Sequence, residues 1–297
     1  MRAVFYRLLA LLSAVLGDWL FILVARGIAA GYFLLFPRRV GVGLRFYRAL
    51  FPGRSVYYHL WCTFRQFQQF TTVFWDRCLV RTTDAISFTS EGHDHIEAAM
   101  RDKTGGIILM SHLGNWDVAA HLLQRQWQDM RLLMYMGIRD KEEIERLQKQ
   151  NLAESGIRIL AVDTAQGSPL DILEGVRFIR EGGLVLQTGD IIWKPEQRSV
   201  PARFLGHPIR LPMAPFTLAQ VSGAPLFIFF AFRLDARKYH FVLSPPMFLK
   251  TTARAEREAA IQRAAQQYAD TLEQALRRHP FEWYHFEPFL ENNGTDG

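Results

Sequence analysis

Cysteine is nearly absent from this chain of 297 residues, which contains only Cys62 and Cys78. Two cysteines cannot form the disulfide framework of a small secreted protein, so we expect a reducing compartment and two thiols that pack as small apolar groups. The sequence also lacks the CxxC spacing of a zinc site, an internal repeat and a low-complexity segment. Its length fits one large α/β domain or two small domains.

Acidic residues are scarce near the N-terminus, where Asp18 is the only acid among the first 54 residues and eight arginines accompany it. Over the whole chain, 35 Lys and Arg exceed 29 Asp and Glu only modestly, for a net charge of +6. No recognisable nucleic-acid-binding module accompanies this excess, so we expect no nucleic-acid partner. Arginines beside an apolar segment suit an anionic membrane surface instead.

That apolar segment covers residues 8–36 and is interrupted only by Asp18 and Arg26. It is long enough to cross a bilayer, which needs about 20 residues. Each charge costs a few kcal/mol at the membrane centre. We expect a spanning or deeply embedded anchor, and a helical hairpin that is buried or lies in the interface is the alternative. A cleaved signal peptide is the third interpretation, and the length of the stretch disfavours it.

After residue 84, short apolar runs alternate with amphipathic stretches, following an aromatic helical pattern over residues 55–80. This alternation predicts an α/β fold with a mixed, largely parallel central sheet flanked by helices. The predicted strands cover residues 86–90, 107–111, 132–136, 157–162, 184–188, 199–204, 226–232 and 239–243. The predicted helices cover residues 93–102, 115–128, 139–155, 170–181, 213–222 and 253–279. We divide the chain into a membrane-anchor region at 1–54, an α/β domain at 55–290 and a polar tail at 291–297.

A histidine ends one of these strands in the segment GGIILMSHLGNWD, where a turn at Gly114 leads to a helix capped by Asn115. A histidine in this position can remove a proton near neutral pH. We therefore predict that His112 is the general base for a hydroxyl group and that Asp117 orients its ring, as in a serine triad without the serine. The backbone amides from Gly114 to Trp116 would stabilise an oxyanion, with Arg198 as an additional candidate donor, and Asn115 would bind substrate. The alternative is that His112 only ends the strand and Asp117 complements the helix dipole.

A second candidate site follows the strand at 184–188, where Asp190 begins a loop that contains several cations. Arg198 could bind a phosphate in a bidentate manner, assisted by Arg203 or Lys194. We predict Asp190, Arg198 and Arg203 as further substrate-binding residues, and a solvated loop with surface arginines is the alternative.

A metal site is a competing interpretation of the first motif, because His121 lies four residues after Asp117 on the same helix face. His112, Asp117 and His121 would then serve a metal-dependent hydrolase. We favour general-base chemistry with no metal and no cofactor.

Together these segments resemble the lysophospholipid and glycerolipid acyltransferase superfamily, and within it the lipid A biosynthesis (lauroyl/myristoyl) late acyltransferase family. The resemblance rests on the N-terminal apolar segment, the SHLGNWD block, the block from Asp190 through Arg198 to the Phe-Leu-Gly at 204–206, and the closing aromatic segment PFEWYH. It implies an enzyme on the cytoplasmic face of the bacterial inner membrane. That enzyme would transfer a fatty acyl chain from acyl carrier protein or coenzyme A to a hydroxyl of a membrane glycolipid similar to a lipid A precursor.

The same resemblance leaves the acceptor open. The lipid A branch commonly has glutamate where this chain has Asp117, and relatives acylate phosphatidylinositol mannosides and other glycolipids. No G-x-S-x-G nucleophile elbow is present, which favours direct transfer without an acyl-enzyme. A non-catalytic membrane protein that binds lipid remains the second alternative.

Overall fold

A computed structural model describes residues 18–82, 86–127, 129–137, 157–162, 169–249, 253 and 255–291. Its helices are α1 (Asp18–Leu35), α2 (Pro37–Leu50), α3 (Val56–Thr82), α4 (His93–Arg101), α5 (Trp116–Gln126), α6 (Pro169–Arg180), α7 (Ala214–Ser222) and α8 (Glu256–Arg278). Its strands are β1 (Ser87–Glu91), β2 (Gly106–Met110), β3 (Leu132–Gly137), β4 (Arg158–Val162), β5 (Leu184–Thr188), β6 (Ser199–Phe204), β7 (His207–Pro212), β8 (Leu226–Asp235) and β9 (Lys238–Leu243). The helix predicted over 139–155 lies outside the described residues.

Seven of the strands form one sheet in the order β1-β9-β8-β2-β5-β3-β4. β8 and β9 pair antiparallel, and the other neighbouring strands pair parallel, so the predicted largely parallel sheet is confirmed. β2 and β5 are parallel neighbours, with Met110 opposite Thr188. Because the carboxyl ends of parallel neighbours meet at one edge, the segments that follow these two strands leave the sheet side by side.

Alternate side chains of β2 pack into two different apolar clusters, because successive residues of a strand point to opposite faces. Ile107 and Leu109 lie in a cluster with buried residues of α6, α7 and α8. Ile108 and Met110 lie in a second cluster with residues of α1, α3, α4 and α5. Full burial of such a side chain contributes roughly 1.5–3 kcal/mol. The strand that leads into the first motif is therefore fixed from both faces.

A separate two-stranded hairpin, β6 and β7, was only half predicted. The strand over 199–204 is confirmed, but its partner contains Pro208 and Pro212, which disfavour a strand in sequence. Both prolines belong to a two-stranded ribbon, in which each strand is an edge strand, and an edge strand tolerates the missing backbone N–H of proline. The turn residues Leu205 and Gly206 both have positive φ, as a two-residue hairpin turn requires.

The N-terminal helices form an apolar, bent arrangement. In the part of the chain that the structure describes, no single helix is long and apolar enough to cross a membrane. Residues Trp19–Leu35 and Pro37–Leu50 meet that criterion only as a pair, and they are bent by 91°. The first ten residues of the predicted anchor lie outside the described region. Cys62, on α3, is buried as predicted.

Candidate active site

The turn after β2 is held from two sides. The Gly114 N–H donates to the carbonyl of Glu282 and the Asn115 N–H donates to that of Ala231, both on other elements. Gly114 has a φ of +83°, and a Cβ at this position would collide with the Ala231 carbonyl oxygen. Only glycine combines that backbone conformation with so close an approach. These amides are occupied, so the prediction that Gly114 and Asn115 supply oxyanion donors is wrong.

His112 lies at this turn and is held by Asp190. The ring Nδ1 of His112 lies 2.9 Å from Oδ1 of Asp190, and the backbone N–H of His112 donates to Oδ2 at 2.7 Å. Because an ionised carboxylate only accepts hydrogen bonds, Nδ1 carries the proton, and Nε2 is the basic nitrogen of the neutral ring. Burial opposes ionisation of Asp190, but the electrostatic attraction of His112 and the hydrogen bonds from it outweigh burial and lower the Asp190 pKa to about 2.

A third donor to the Asp190 carboxylate comes from the C-terminal segment. The indole N–H of Trp283 donates to Oδ2 at 3.0 Å, and Trp283 is only 1% exposed. The neighbouring Tyr284 N–H donates to the carbonyl of His112 at 2.8 Å. From the sequence, this segment was recognised only as a closing aromatic stretch that adds to the family resemblance, and no role in the site was predicted for it. Nothing local connects it to His112, since 171 positions separate Trp283 from that histidine.

A second histidine, His285, completes the polar part of the site. Its ring centroid lies 5.8 Å from that of His112, and the ring stacks on Trp283 at 5.2 Å. Its Nδ1 donates to the Glu287 carbonyl at 3.1 Å. Burial lowers the pKa of His285 below the usual 6.5, which keeps its ring neutral at physiological pH.

These groups open into an apolar cavity of about 490 Å³, within the size range of small-molecule sites. His112 and His285 lie at its wall, and Arg39 and Glu287 are the charged residues that line it. The remaining walls come from α1, α3, the loop after β5 and the C-terminal segment. Their residues are Phe21, Ala25, Ile28, Ala29, Tyr32, Phe67, Phe70, Thr71, Phe74, Ile191, Trp193, Tyr284 and Phe286.

Comparison with known proteins places this arrangement in a family. The profile for bacterial lipid A biosynthesis acyltransferases matches residues 66–291. The chain belongs to that family. It is also 26% identical over 201 residues to a phosphatidylinositol mannoside acyltransferase of Mycobacterium tuberculosis, in strains CDC 1551 / Oshkosh and ATCC 25618 / H37Rv. The alignment covers 66% of this chain and 58% of the relative, so the chain spans less than two thirds of the length of the curated relatives it matches.

The predicted partner of His112 in this lipid A acyltransferase family member requires a correction. We expected Asp117 to hold the ring, whereas the structure gives that contact to Asp190. Asp117 lies on the first turn of α5 and forms an ion pair with Arg77 of α3. The position of Asp117 on α5 directs its carboxylate toward α3. Asp190 follows β5, the parallel neighbour of β2, and therefore lies beside the His112 ring. The second motif thus supplies an orienting residue, where we had predicted a substrate contact for Asp190.

The geometry does not support the metal site that was the competing interpretation of the first motif. His121 directs Nδ1 to the backbone carbonyl of Asp117 at 2.8 Å. Among the described residues, no group of three His, Cys, Asp or Glu side chains could hold a metal ion. The predicted set of His112, Asp117 and His121 therefore does not come together as a ligand set.

Asn115 acts as the helix cap that the sequence predicted. Its Oδ1 accepts from the Val118 N–H at 3.3 Å, and its amide nitrogen donates to the Tyr239 hydroxyl at 3.2 Å. Tyr239 in turn donates to the buried carboxylate of Asp76 at 2.5 Å. Asn115 is buried, and these contacts lie within the protein. Its described role is to fix the turn, and the predicted substrate contact stays a prediction.

The two arginines of the second motif lie on or beside the hairpin. Arg198 is exposed, and its backbone carbonyl accepts from the Met213 N–H. Arg203 is also exposed, and its guanidinium donates to the Gly206 carbonyl at the hairpin turn. Neither lines the cavity. Their predicted contact with substrate phosphate stays a prediction.

Proposed function

We propose that this protein transfers a fatty acyl group from a thioester donor to a hydroxyl of a membrane glycolipid. The observation that carries the proposal is the His112–Asp190 pair at the wall of an apolar cavity. A cavity with aromatic and aliphatic walls suits an acyl chain, and a histidine held through Nδ1 suits removal of a hydroxyl proton by Nε2. The family membership and the named relative support the same reaction class.

The reaction would proceed by direct transfer. Nε2 of His112 takes the proton of the acceptor hydroxyl as its oxygen attacks the thioester carbonyl. The C–O bond forms, the C–S bond breaks, and the departing sulfur receives the proton from His112, so that an ester and a free thiol result. Asp190 would stabilise the imidazolium that exists between these steps. Of the first-turn amides of α5, that of Val118 is capped by Asn115, so those of Trp116 and Asp117 are the candidate donors to the oxyanion.

The donor in this proposal is acyl carrier protein or acyl coenzyme A. The acceptor is a glycolipid, either a lipid A precursor or a mannosylated phosphatidylinositol of the kind after which the Mycobacterium tuberculosis relative is named. We place the enzyme on the cytoplasmic face of a bacterial inner membrane. Support comes from Leu34 and Leu35, each 76% exposed, and from Phe36 beside them at the bend before the arginine-rich α2. An apolar corner flanked by arginines suits an anionic lipid interface.

An assay of the purified protein tests the proposal. Acyl coenzyme A and acyl carrier protein donors are incubated with lipid A precursors and with phosphatidylinositol mannosides, and products are identified by mass spectrometry. We expect a product heavier than the acceptor by one acyl group, and loss of at least about a hundredfold in rate for His112→Ala. Equal turnover by His112→Ala would refute the base assignment. Glycolipid binding with no product from any donor would favour the non-catalytic lipid-binding alternative.

A further inference from the structure

The cavity beside His112 is apolar, and its charge is confined to one place on the rim. Among the described residues that line the cavity, Arg39 is the only Lys or Arg and Glu287 is the only acid. Their side chains are 38% and 46% exposed, so both remain in contact with solvent. The lining histidines add no charge in the resting site, because burial lowers the pKa of His285 and the His112 ring is neutral. An anionic group that enters this cavity therefore meets Arg39.

The C-terminal segment links Arg39 to the reacting histidine. Nη1 of Arg39 donates to the Phe286 carbonyl at 2.8 Å and to Oε1 of Glu287 at 2.7 Å. The backbone carbonyl of Glu287 accepts from Nδ1 of His285, and the His285 ring centroid lies 5.8 Å from that of His112. The guanidinium and the His112 ring thus belong to the same part of the cavity wall. A substrate whose hydroxyl reaches His112 has its neighbouring groups near Arg39.

The contacts of Arg39 leave one edge of its guanidinium open. A guanidinium has five N–H donors, and both described contacts use Nη1, which carries two of them. Within the described part of the chain, Nε and Nη2 of Arg39 donate to no other group. Nε and Nη2 form an edge that binds two oxygens of a phosphate side by side. Because the Nη1 end is already fixed, this edge is oriented before a ligand arrives and loses little freedom on binding.

The ion pair with Glu287 does not by itself explain this arrangement. It uses a single nitrogen of Arg39, and both partners are well exposed, so it contributes little to stability. Glu287 orients the guanidinium without occupying the Nε and Nη2 edge. Since the carboxylate also repels other anions, only a group that accepts hydrogen bonds from that edge binds well here.

We propose that Arg39 binds a phosphate group of the substrate while His112 acts on the acceptor hydroxyl. This assignment of Arg39 rests on the proposed acyl transfer and adds a residue that determines substrate specificity. Both proposed substrates contain the required chemistry. Coenzyme A and the pantetheine arm of a carrier protein are phosphate esters, and a phosphatidylinositol mannoside contains a phosphodiester.

Two pairs of compounds that differ in the phosphate test the assignment. The donors are palmitoyl coenzyme A and the palmitoyl thioester of N-acetylcysteamine, and the acceptors are a phosphatidylinositol mannoside and a mannosyl diacylglycerol. In one pair, Arg39→Gln should lower kcat/KM by about 10- to 100-fold for the phosphate-bearing compound and by less than about threefold for the other. In the second pair, both compounds should be affected equally. The pair that shows the difference identifies whether the phosphate belongs to the donor or to the acceptor.

Three further variants separate recognition from structure. Arg39→Lys keeps the charge but not the paired donors, so its loss should be intermediate. Arg48→Gln removes the same charge from an exposed residue in the last turn of α2, outside the cavity lining, and should leave the phosphate preference unchanged. Glu287→Gln keeps the guanidinium and removes the carboxylate beside it, so the preference should be retained or increase. A fall in preference for Glu287→Gln as large as that for Arg39→Gln would overturn the assignment.

Equilibrium binding of the same four compounds in detergent micelles, measured by calorimetry, gives a readout that does not need turnover. A loss of affinity in Arg39→Gln that is confined to phosphate-bearing compounds supports the assignment. Equal losses within both pairs, or no loss in a variant whose circular dichroism matches the wild type, would refute it. If the wild-type protein binds phosphate-bearing compounds through Arg39 but forms no ester, the proposed function fails and the phosphate site stands.

Discussion

Replacing Asp190 and Asp117 by asparagine, one at a time, distinguishes the roles of these two residues. Asp190→Asn changes the group that receives three N–H donors, two from His112 and one from Trp283. Two of these donors converge on Oδ2, so the single amide oxygen of asparagine is required there. Its NH₂ group then faces Nδ1 of His112, which must give up its proton and accept. The ring is forced into the tautomer that carries the proton on Nε2, and Nε2 can no longer act as a base.

The expected magnitude is large for turnover and modest for stability. A histidine base held in the wrong tautomer loses about 10⁴ in rate, or roughly 5 kcal/mol of barrier. The pKa of Asp190 falls from 3.8 to about 2 on folding, which corresponds to about 2 kcal/mol of stabilisation at neutral pH. Asp117→Asn weakens the ion pair with Arg77 instead and should cost a similar 1–3 kcal/mol of stability. Its effect on the rate should stay below about tenfold, because its carboxylate does not hold the His112 ring.

Single-turnover acyl transfer and denaturant unfolding of both variants, at matched protein concentration, check this contrast. Similar losses of unfolding free energy with very different losses of rate are the expected pattern. The reasoning is refuted if Asp190→Asn retains near wild-type turnover while Asp117→Asn abolishes it. That result would restore Asp117 as the orienting residue.

Three further predictions follow from the same contacts. Trp283→Phe removes one N–H from the Asp190 carboxylate and should lower kcat by about 10- to 100-fold with little change in KM; a raised KM at unchanged kcat would contradict the positioning role. The pKa of His285 is lowered on folding, so only the unfolded chain binds that proton readily, and unfolding free energy should fall as pH drops below 6.5. Denaturant titrations at several pH values should show a shallower slope for His285→Gln, and an identical slope would remove this assignment. Gly114→Ala should lose more than about 2 kcal/mol in such titrations, whereas Gly53→Ala, also at positive φ but with open space around it, should lose only about 1 kcal/mol; equal losses would show that the close approach is unimportant.

Local patterns in the sequence predicted most of the scaffold. The apolar run before His112 indicated a strand, Gly114 indicated a tight turn, and Asn115 indicated a helix cap, and all three are found. Each of these signals depends on a few consecutive residues. Steric limits on φ and the need to satisfy first-turn amides act over that same range, so a single sequence can report them.

The contacts between distant segments could not be predicted in the same way. The sequence showed two polar motifs, and the closeness of Asp117 to His112 along the chain suggested the wrong pairing. Asp190 comes 78 positions after His112 in the chain, but the strands that precede the two residues are parallel neighbours. That adjacency places the Asp190 carboxylate beside the His112 ring. The hairpin partner β7 was missed for a related reason, because its prolines are acceptable only at the edge of a two-stranded ribbon.

The sequence by itself therefore determined which chemistry is present: a histidine at a strand end, a nearby carboxylate in each of two motifs, and an apolar N-terminal region. The tertiary structure alone decided which carboxylate holds the histidine, that Trp283 and His285 belong to the site, and that α1 and α3 enclose a cavity beside it. Short-range propensities fix elements one at a time. Strand order and the packing of helices on the sheet bring the ends of those elements together, and no local pattern carries that information.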